Sequence, residues 1–130
     1  MTYAYYGWSN LPPLTTNKDG TIRPTAVAID FDGCIVSNAW PEIGVPNDYF
    51  IAALKRFKQG GGQLILWTCR EGKMLEDAVN FCCNNGIMLD AINENLPSWI
   101  EAFGNDCRKV GADFYIDDKA IRLVFSGEHG

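Results

Sequence analysis

The residues best suited to chemistry in this sequence are two closely spaced pairs of aspartates, each of which follows an apolar run. Asp30 and Asp32 come after AVAI, and Asp117 and Asp118 come after FYI. Because ligands of an open parallel sheet bind outside the carboxyl ends of its strands, we expect the four carboxylates to share one edge. Unpaired carboxylates repel each other at such an edge, and a hard divalent cation relieves the repulsion. A few carboxylates, a carbonyl, waters and a phosphate suit Mg²⁺, so the pattern predicts a magnesium site.

Further polar residues follow the other expected strands. Thr68 and Arg70 come directly after the apolar run LILW, and Asn93 and Asn95 follow a third apolar stretch. The same edge therefore collects a hydroxyl, a guanidinium and amides beside the carboxylates. Each of these features alone also fits an ordinary turn or strand residue. Their combination, each at a strand end, is what favours a functional site.

Hydrophobic periodicity predicts the elements that must position these residues. Strands are expected at Thr25–Phe31, Gln63–Thr68, Ile87–Ile92, Asp113–Asp117 and Ala120–Phe125. Helices are expected between a cap at Asn47 and the glycines 60–62, at Gly72–Cys83, and at Pro97–Phe103 with Ser98 or Asn95 as cap. The turn signal at 17–20 predicts a connection between two short extended pieces. Alternating strands and helices imply an α/β fold, a three-layer Rossmann-like parallel sheet with helices on both faces.

Length and composition limit the class of protein. The chain of 130 residues has the size of one domain, with an N-terminal extension over 1–24 and a core over about 25–125. The net charge of −5 argues against a basic nucleic-acid-binding surface. Five cysteines without framework spacing indicate a reduced protein. No signal peptide or membrane span is evident in the sequence, so we expect a cytoplasmic location and no membrane partner.

Four motifs of the chain, taken in order, resemble the haloacid dehalogenase superfamily of phosphohydrolases. AIDFDG at 28–33 matches its DxD signature, and a strand ending in Thr68, a lysine and IDD at 116–118 follow. The runs LWTCREG and YIDDKA look particularly like small single-domain members. The match covers about 27–121, and it departs from the usual pattern at Cys34, where a threonine commonly follows DxDG.

The resemblance implies a Mg²⁺-dependent phosphatase that works through an aspartyl-phosphate, and chemical reasoning agrees with the roles it gives to the residues. Asp30 would be the nucleophile and a metal ligand. Asp32 would act as general acid and base, and its backbone carbonyl would bind the metal. Asp117 would hold the metal, with Asp118 acting through water or orienting a ligand.

The remaining site residues implied by the resemblance bind the phosphoryl group. Thr68 would donate its hydroxyl to a phosphoryl oxygen, and Lys109 would neutralise charge, with Lys119 and Lys73 as alternatives. Arg70 and Asn93 are candidate substrate contacts, although Arg70 also fits a surface charge and Asn93 a turn. His129, the only histidine, is not expected to take part in catalysis.

The segment between Asp32 and the first helix has about 14 residues, which suffices for a flap but not for a cap domain. We therefore expect an open site that takes a phosphorylated small molecule, such as a nucleotide, or a phosphorylated polymer end. Trp40 in the flap could stack on a base. Closure by a second subunit, and so a homo-oligomer, is an alternative. Two other functions stay open: a catalytically weak phosphate-binding or regulatory module, and a dehalogenase- or phosphonatase-like enzyme.

Overall fold

A computed structural model describes residues 7–125, in which a short hairpin precedes four parallel strands and three helices. The elements in chain order are β1 (Leu14–Thr16), β2 (Ile22–Pro24), β3 (Ala26–Ile29), α1 (Asp48–Gln59), β4 (Gln63–Leu66), α2 (Gly72–Asn84), β5 (Ala91–Ile92), α3 (Pro97–Phe103) and β6 (Phe114–Ile116). The sheet order is β5-β4-β3-β6, and all neighbouring strands run parallel. The chain therefore has the α/β fold that the sequence predicts.

The two faces of the central strand β3 belong to two different hydrophobic clusters, because successive side chains of a strand point to opposite faces. Val27 and Ile29 pack in the larger cluster, which contains most of the buried residues of α1 and those of α2. Ala26 and Ala28 pack in a smaller cluster, together with Leu96 and Val110, against which Trp99 of α3 lies. Both faces of the strand are covered, which explains why its sequence is apolar without alternation.

Helix α1 begins and ends where the sequence predicts. The side chain of Asn47 accepts a hydrogen bond from the backbone N–H of Phe50 at 3.3 Å, which satisfies one free donor of the first turn. Gly60 forms the C-cap. Gly62 then lies against the ring of Phe57, where a Cβ atom would collide with the ring. The glycine run therefore lets the chain turn closely past the helix into β4.

The hairpin predicted around 17–20 is present, and it packs on the amino edge of the sheet. Its strands β1 and β2 are antiparallel. The hydroxyls of Thr15 and Thr25 lie 2.6 Å apart, and the backbone N–H of Thr25 donates to Pro13. Arg23 donates two hydrogen bonds to Asp113, which precedes β6. The part of the N-terminal extension between Gly7 and Pro24 is thus joined to the core.

Three predictions about elements are wrong. The segment Ala120–Phe125 has no regular secondary structure, and Ile121 is 91% exposed, because a mostly apolar run forms a strand only where a neighbouring strand takes its hydrogen bonds. The third strand is confined to Ala91–Ile92 rather than Ile87–Ile92. The N-cap of α3 is Leu96, without a side-chain hydrogen bond, instead of Ser98 or Asn95.

The amide of Asn95 has a different structural role. It donates to Asp106 and to the carbonyl of Cys107, and its oxygen accepts from the N–H of Gly111. These bonds organise the loop between α3 and β6. Among the three helices of residues 7–125, none combines the length and the apolar character that crossing a membrane requires. His129 lies outside the described residues.

Candidate active site

Parallel pairing of β3 with β6 brings the two acidic motifs together. Ile29 pairs with Ile116, and the backbone N–H of Asp30 donates to the carbonyl of Ile116 at 2.9 Å. Asp30 and Asp117 therefore leave adjacent strands at the same level. The structure thus places the two predicted pairs of carboxylates at one edge of the sheet.

Gly33 allows the DxDG loop to pass directly beside the second acidic pair. Its φ is +85°, a value that favours glycine, and a Cβ atom at this position would collide with the carboxylate of Asp118. The backbone N–H of Phe31 donates to Asp30 Oδ1 at 2.8 Å, which fixes the Asp30 carboxyl group. The glycine of the motif is required by this close approach as well as by the turn.

Asp30 lies in an electrostatically unfavourable position for a carboxylate. Its pKa is raised to about 6, chiefly by burial and in smaller part by the charges of Asp117, Asp118 and Asp32, against the hydrogen bond from Phe31. The described ion pairs of residues 7–125 leave Asp30 without a cationic side chain. A ligand that brings positive charge would therefore bind here with a favourable electrostatic energy.

Asp30, Asp118 and Cys34 offer three ligand atoms that all lie within 4.8 Å of one another. Burial and the neighbouring Asp30 and Asp118 raise the pKa of the Cys34 thiol to about 11, so the thiol stays protonated at neutral pH. The anionic donors are then carboxylate oxygens alone, which is the donor type that Mg²⁺ prefers. The residues present therefore fit this ion.

A cavity of about 280 Å³ opens beside this cluster. Its walls come from the DxDG loop, the flap at 33–46, the end of β4 and the turn after β6. They are formed by Asp30, Asp32, Asn38, Trp40, Thr68, Cys69, Arg70, Asp118 and Lys119. Asn38 is a wall residue that the sequence did not single out. Trp40, 59% exposed, stands in the flap wall, as the flap position predicts.

Thr68 and Asn93 are joined at the carboxyl end of β4. The side-chain oxygen of Asn93 accepts the backbone N–H of Thr68 at 2.8 Å, and the Thr68 hydroxyl accepts the N–H of Arg70 at 3.1 Å. Asn93 has a φ of 53°, a left-handed conformation that asparagine tolerates better than most residues. The structure thus uses Asn93 to hold the backbone of Thr68, and it does not place Asn93 in the cavity wall described above.

The lysine predicted for the phosphoryl site does not line the cavity. The ammonium group of Lys109 lies over the ring of Tyr115, 5.2 Å from its centroid, and Lys73 pairs with Asp77 on the surface of α2. Lys119 is the lysine among the cavity residues. The order of motifs in the sequence favoured Lys109, whereas the turn after β6 brings Lys119 to the carboxylates.

The two carboxylates of the second acidic pair have different neighbours. Asp118 is grouped with Asp30 and lines the cavity. Asp117 Oδ1 accepts the backbone N–H of Lys119 at 2.9 Å, so this carboxylate shapes the turn. The sequence contains both residues but gives no signal for which of them faces Asp30.

All five cysteines are free, and Cys34 and Cys82 are buried. Cys34, which replaces the usual threonine, takes part in the site only as a neutral neighbour of Asp30.

The chain matches no known family profile, and no curated protein matches it. Among solved structures, it is similar to the conserved protein coded by a locus from Bacteroides thetaiotaomicron, with 36% sequence identity and a TM-score of 0.65. The similarity covers 74% of this chain and 77% of that protein. Identity at this level over most of both chains shows common descent as well as a common fold. The chain therefore belongs to the same family as this conserved Bacteroides thetaiotaomicron protein.

Proposed function

We propose that the protein is a Mg²⁺-dependent phosphomonoester phosphatase of the haloacid dehalogenase superfamily, with a three-layer core and no cap domain. The observation that carries the proposal is the position of Asp30. This carboxylate stands at the end of the central strand, opens onto a cavity of about 280 Å³, and has Asp118 within 4.8 Å. Clusters of titratable groups with a perturbed pKa are typical of catalytic sites.

In the first step, a carboxylate oxygen of Asp30 attacks phosphorus, and the bond from phosphorus to the leaving oxygen breaks. The product is an aspartyl-phosphate, which divides hydrolysis into two easier reactions. Asp32 gives its proton to the leaving alkoxide. Both side chains line the same cavity, as the roles of Asp30 as nucleophile and Asp32 as general acid require.

In the second step, Asp32 takes a proton from a water molecule that attacks the aspartyl-phosphate. Inorganic phosphate leaves, and the Asp30 carboxylate is restored. General acid–base catalysis of this kind contributes on the order of 10²–10⁴ in rate.

The residues that would hold Mg²⁺ are Asp30, Asp118 and the backbone carbonyl of Asp32. The chemistry that the ion supplies when bound is neutralisation of the charge on the phosphoryl oxygens. Thr68 donates its hydroxyl to one of these oxygens. Lys119 supplies positive charge from the turn after β6, and we assign it the role that the sequence suggested for Lys109, because phosphoryl transfer depends on well-placed charge.

The test compares wild type with Asp30→Asn on a small phosphomonoester, with Mg²⁺ and with EDTA. Wild type should be active only with Mg²⁺, and Asp30→Asn should lose at least about a thousandfold in kcat, because the nucleophile is gone while the shape of the side chain is kept. Full activity in EDTA, or near-normal turnover by the variant, would contradict the proposal.

Lys119→Ala and Lys109→Ala form a matched pair for the same assay. Loss of Lys119 should reduce kcat on the order of tenfold to a hundredfold, since a charge that faces the transferring group is removed. Loss of Lys109 should leave kcat close to that of wild type. The reverse ranking would return the assignment to Lys109.

A further inference from the structure

Arg70 makes contacts in two directions from the end of β4. Its Nε and Nη2 atoms each donate to one carboxylate oxygen of Asp32 at 2.8 Å. Its Nη1 atom donates to the carbonyl of Pro41 at 3.2 Å, and Nη2 donates to the carbonyl of Glu42 at 2.8 Å. The fifth bond runs from Nη1 to the carbonyl of Met74 at 3.3 Å. One guanidinium group therefore joins Asp32, the flap and α2.

These five hydrogen bonds use every N–H group of an arginine side chain. The side chain is 1% exposed, and its guanidinium carbon lies 5.1 Å from the centre of the Phe31 ring. No donor remains for a phosphate group, although phosphate binding was one of the uses that the sequence suggested for Arg70. Its contacts point to a role that acts through its protein neighbours.

The flap that Arg70 holds is a small closed loop. The N–H of Ser37 donates to the carbonyl of Val45 at 2.8 Å, and the N–H of Val45 donates to the Ser37 hydroxyl at 2.8 Å. Trp40 stands in this loop directly before the carbonyls that Arg70 binds, and it lines the cavity. A displacement of Arg70 would thus move the flap and Asp32 together.

We propose that Arg70 is a positioning residue that holds the general acid Asp32 and the flap in one fixed relation. The inference rests on the proposed phosphatase function and extends it to the leaving group. Trp40 of the flap and Asp32 line the same cavity, so in the proposed mechanism both face the leaving group that Asp32 protonates. A planar fork with bidentate geometry performs this task, and a lysine ammonium group does not.

The test measures kcat and KM of wild type and Arg70→Lys on two esters, p-nitrophenyl phosphate and glycerol phosphate. p-Nitrophenolate leaves without a proton, whereas an alkoxide needs one. If Asp32 is misplaced, the variant should lose kcat on glycerol phosphate by on the order of tenfold more than on p-nitrophenyl phosphate. Hydrogen exchange of the backbone amides at 38–46 should become faster in the same variant.

Arg23→Lys is the matched control, because Arg23 also forms a bidentate pair with an aspartate, at the other edge of the sheet. It should change neither the ratio of the two kcat values nor the exchange of the flap. Arg70→Gln, which keeps two N–H donors, takes the place of Arg70→Lys if the lysine variant does not fold.

Equal loss of kcat on both esters would overturn the inference, since a merely structural role affects both reactions alike. A rise in KM on both esters with unchanged kcat would also overturn it and return Arg70 to phosphate binding. If wild type hydrolyses neither ester, the proposed function fails. If hydrogen exchange of the flap amides is unchanged in Arg70→Lys, the claim that Arg70 holds the flap is refuted, whatever the activity of the variant.

Discussion

At the amino edge of the sheet, carboxylates are paired, whereas at the carboxyl edge Asp30 is not. Asp113 accepts hydrogen bonds from Arg23 and from the backbone N–H of Ala26, the first residue of β3. Asp90 accepts from Lys58 and from the N–H of Leu64 in β4 in the same manner. Each aspartate precedes its own strand and binds the start of the neighbouring strand.

The pKa values of the two edges differ in direction. Burial raises the pKa of Asp113, but the hydrogen bonds from Arg23 and Ala26 outweigh it and hold the value below the ordinary range. Burial, together with the charges of three neighbouring carboxylates, raises the pKa of Asp30 to about 6. Burial raises the pKa at both positions, so the direction of the net pKa shift is decided by the neighbouring groups that bind or repel each carboxylate.

The difference separates the paired carboxylates of the amino edge, which stabilise the fold, from Asp30, which has no cationic side-chain partner among the described ion pairs. A paired aspartate contributes to the free energy of unfolding at neutral pH, whereas an unpaired one in a cluster reduces it. In the proposed function, the same charges serve to bind a cation. Active sites commonly carry such an unfavourable arrangement.

The largest effect on stability is expected for Asp113→Ala. The variant leaves the N–H of Ala26 without its partner and removes both hydrogen bonds to Arg23, so the free energy of unfolding should fall by about 2–3 kcal/mol. Urea denaturation at pH 7 measures this change. A loss below about 0.5 kcal/mol would show that the amino edge does not depend on this carboxylate.

A smaller effect of opposite sign is expected for Asp30→Asn in EDTA. The variant removes a charge that the folded state disfavours, so the free energy of unfolding at pH 7 should rise by about 1–2 kcal/mol once screening by water is taken into account. Urea denaturation with chelator present gives the value. Destabilisation instead would mean that Asp30 is held by a favourable partner.

The pH dependence of the free energy of unfolding of Asp30→Asn tests the direction of this stability change independently. The folded-state pKa of Asp30 is above its unfolded value of 3.8. The contribution of the Asp30 carboxyl group to the free energy of unfolding is therefore fully present below about pH 4 and is lost as the pH rises through about 6. The advantage of Asp30→Asn over wild type should grow across this window and level off above it.

The smallest effect is expected for Lys58→Ala. Lys58 and Asp90 are 23% and 26% exposed, so water screens their charges, and Asp90 keeps its bond to the N–H of Leu64. The free energy of unfolding should fall by less than about 1 kcal/mol. A loss as large as that of Asp113→Ala would show that the ion pair, and not the backbone bond, is the stabilising contact.

Much of the fold follows from local pattern. The apolar run before Asp30 forms the central strand, Asn47 caps α1, and the boundaries of α3 are those predicted from the sequence. Such features depend on neighbours a few residues away. The expected strand at Ala120–Phe125 is not formed, because a strand depends on a partner far along the chain, which local composition does not reveal.

By itself, the sequence determined that Asp30, Asp32, Asp117, Asp118 and Thr68 follow strands, since a buried apolar run and its polar end are local facts. Only the tertiary structure decided which neighbours each of these residues contacts. It turned Asp118 toward Asp30, placed Lys119 in the cavity, and gave all the donors of Arg70 to Asp32, two flap carbonyls and the carbonyl of Met74. Apart from the local bond to Met74, these outcomes depend on distances between segments about 30 to 90 residues apart, which are fixed by packing and not by the order of the chain.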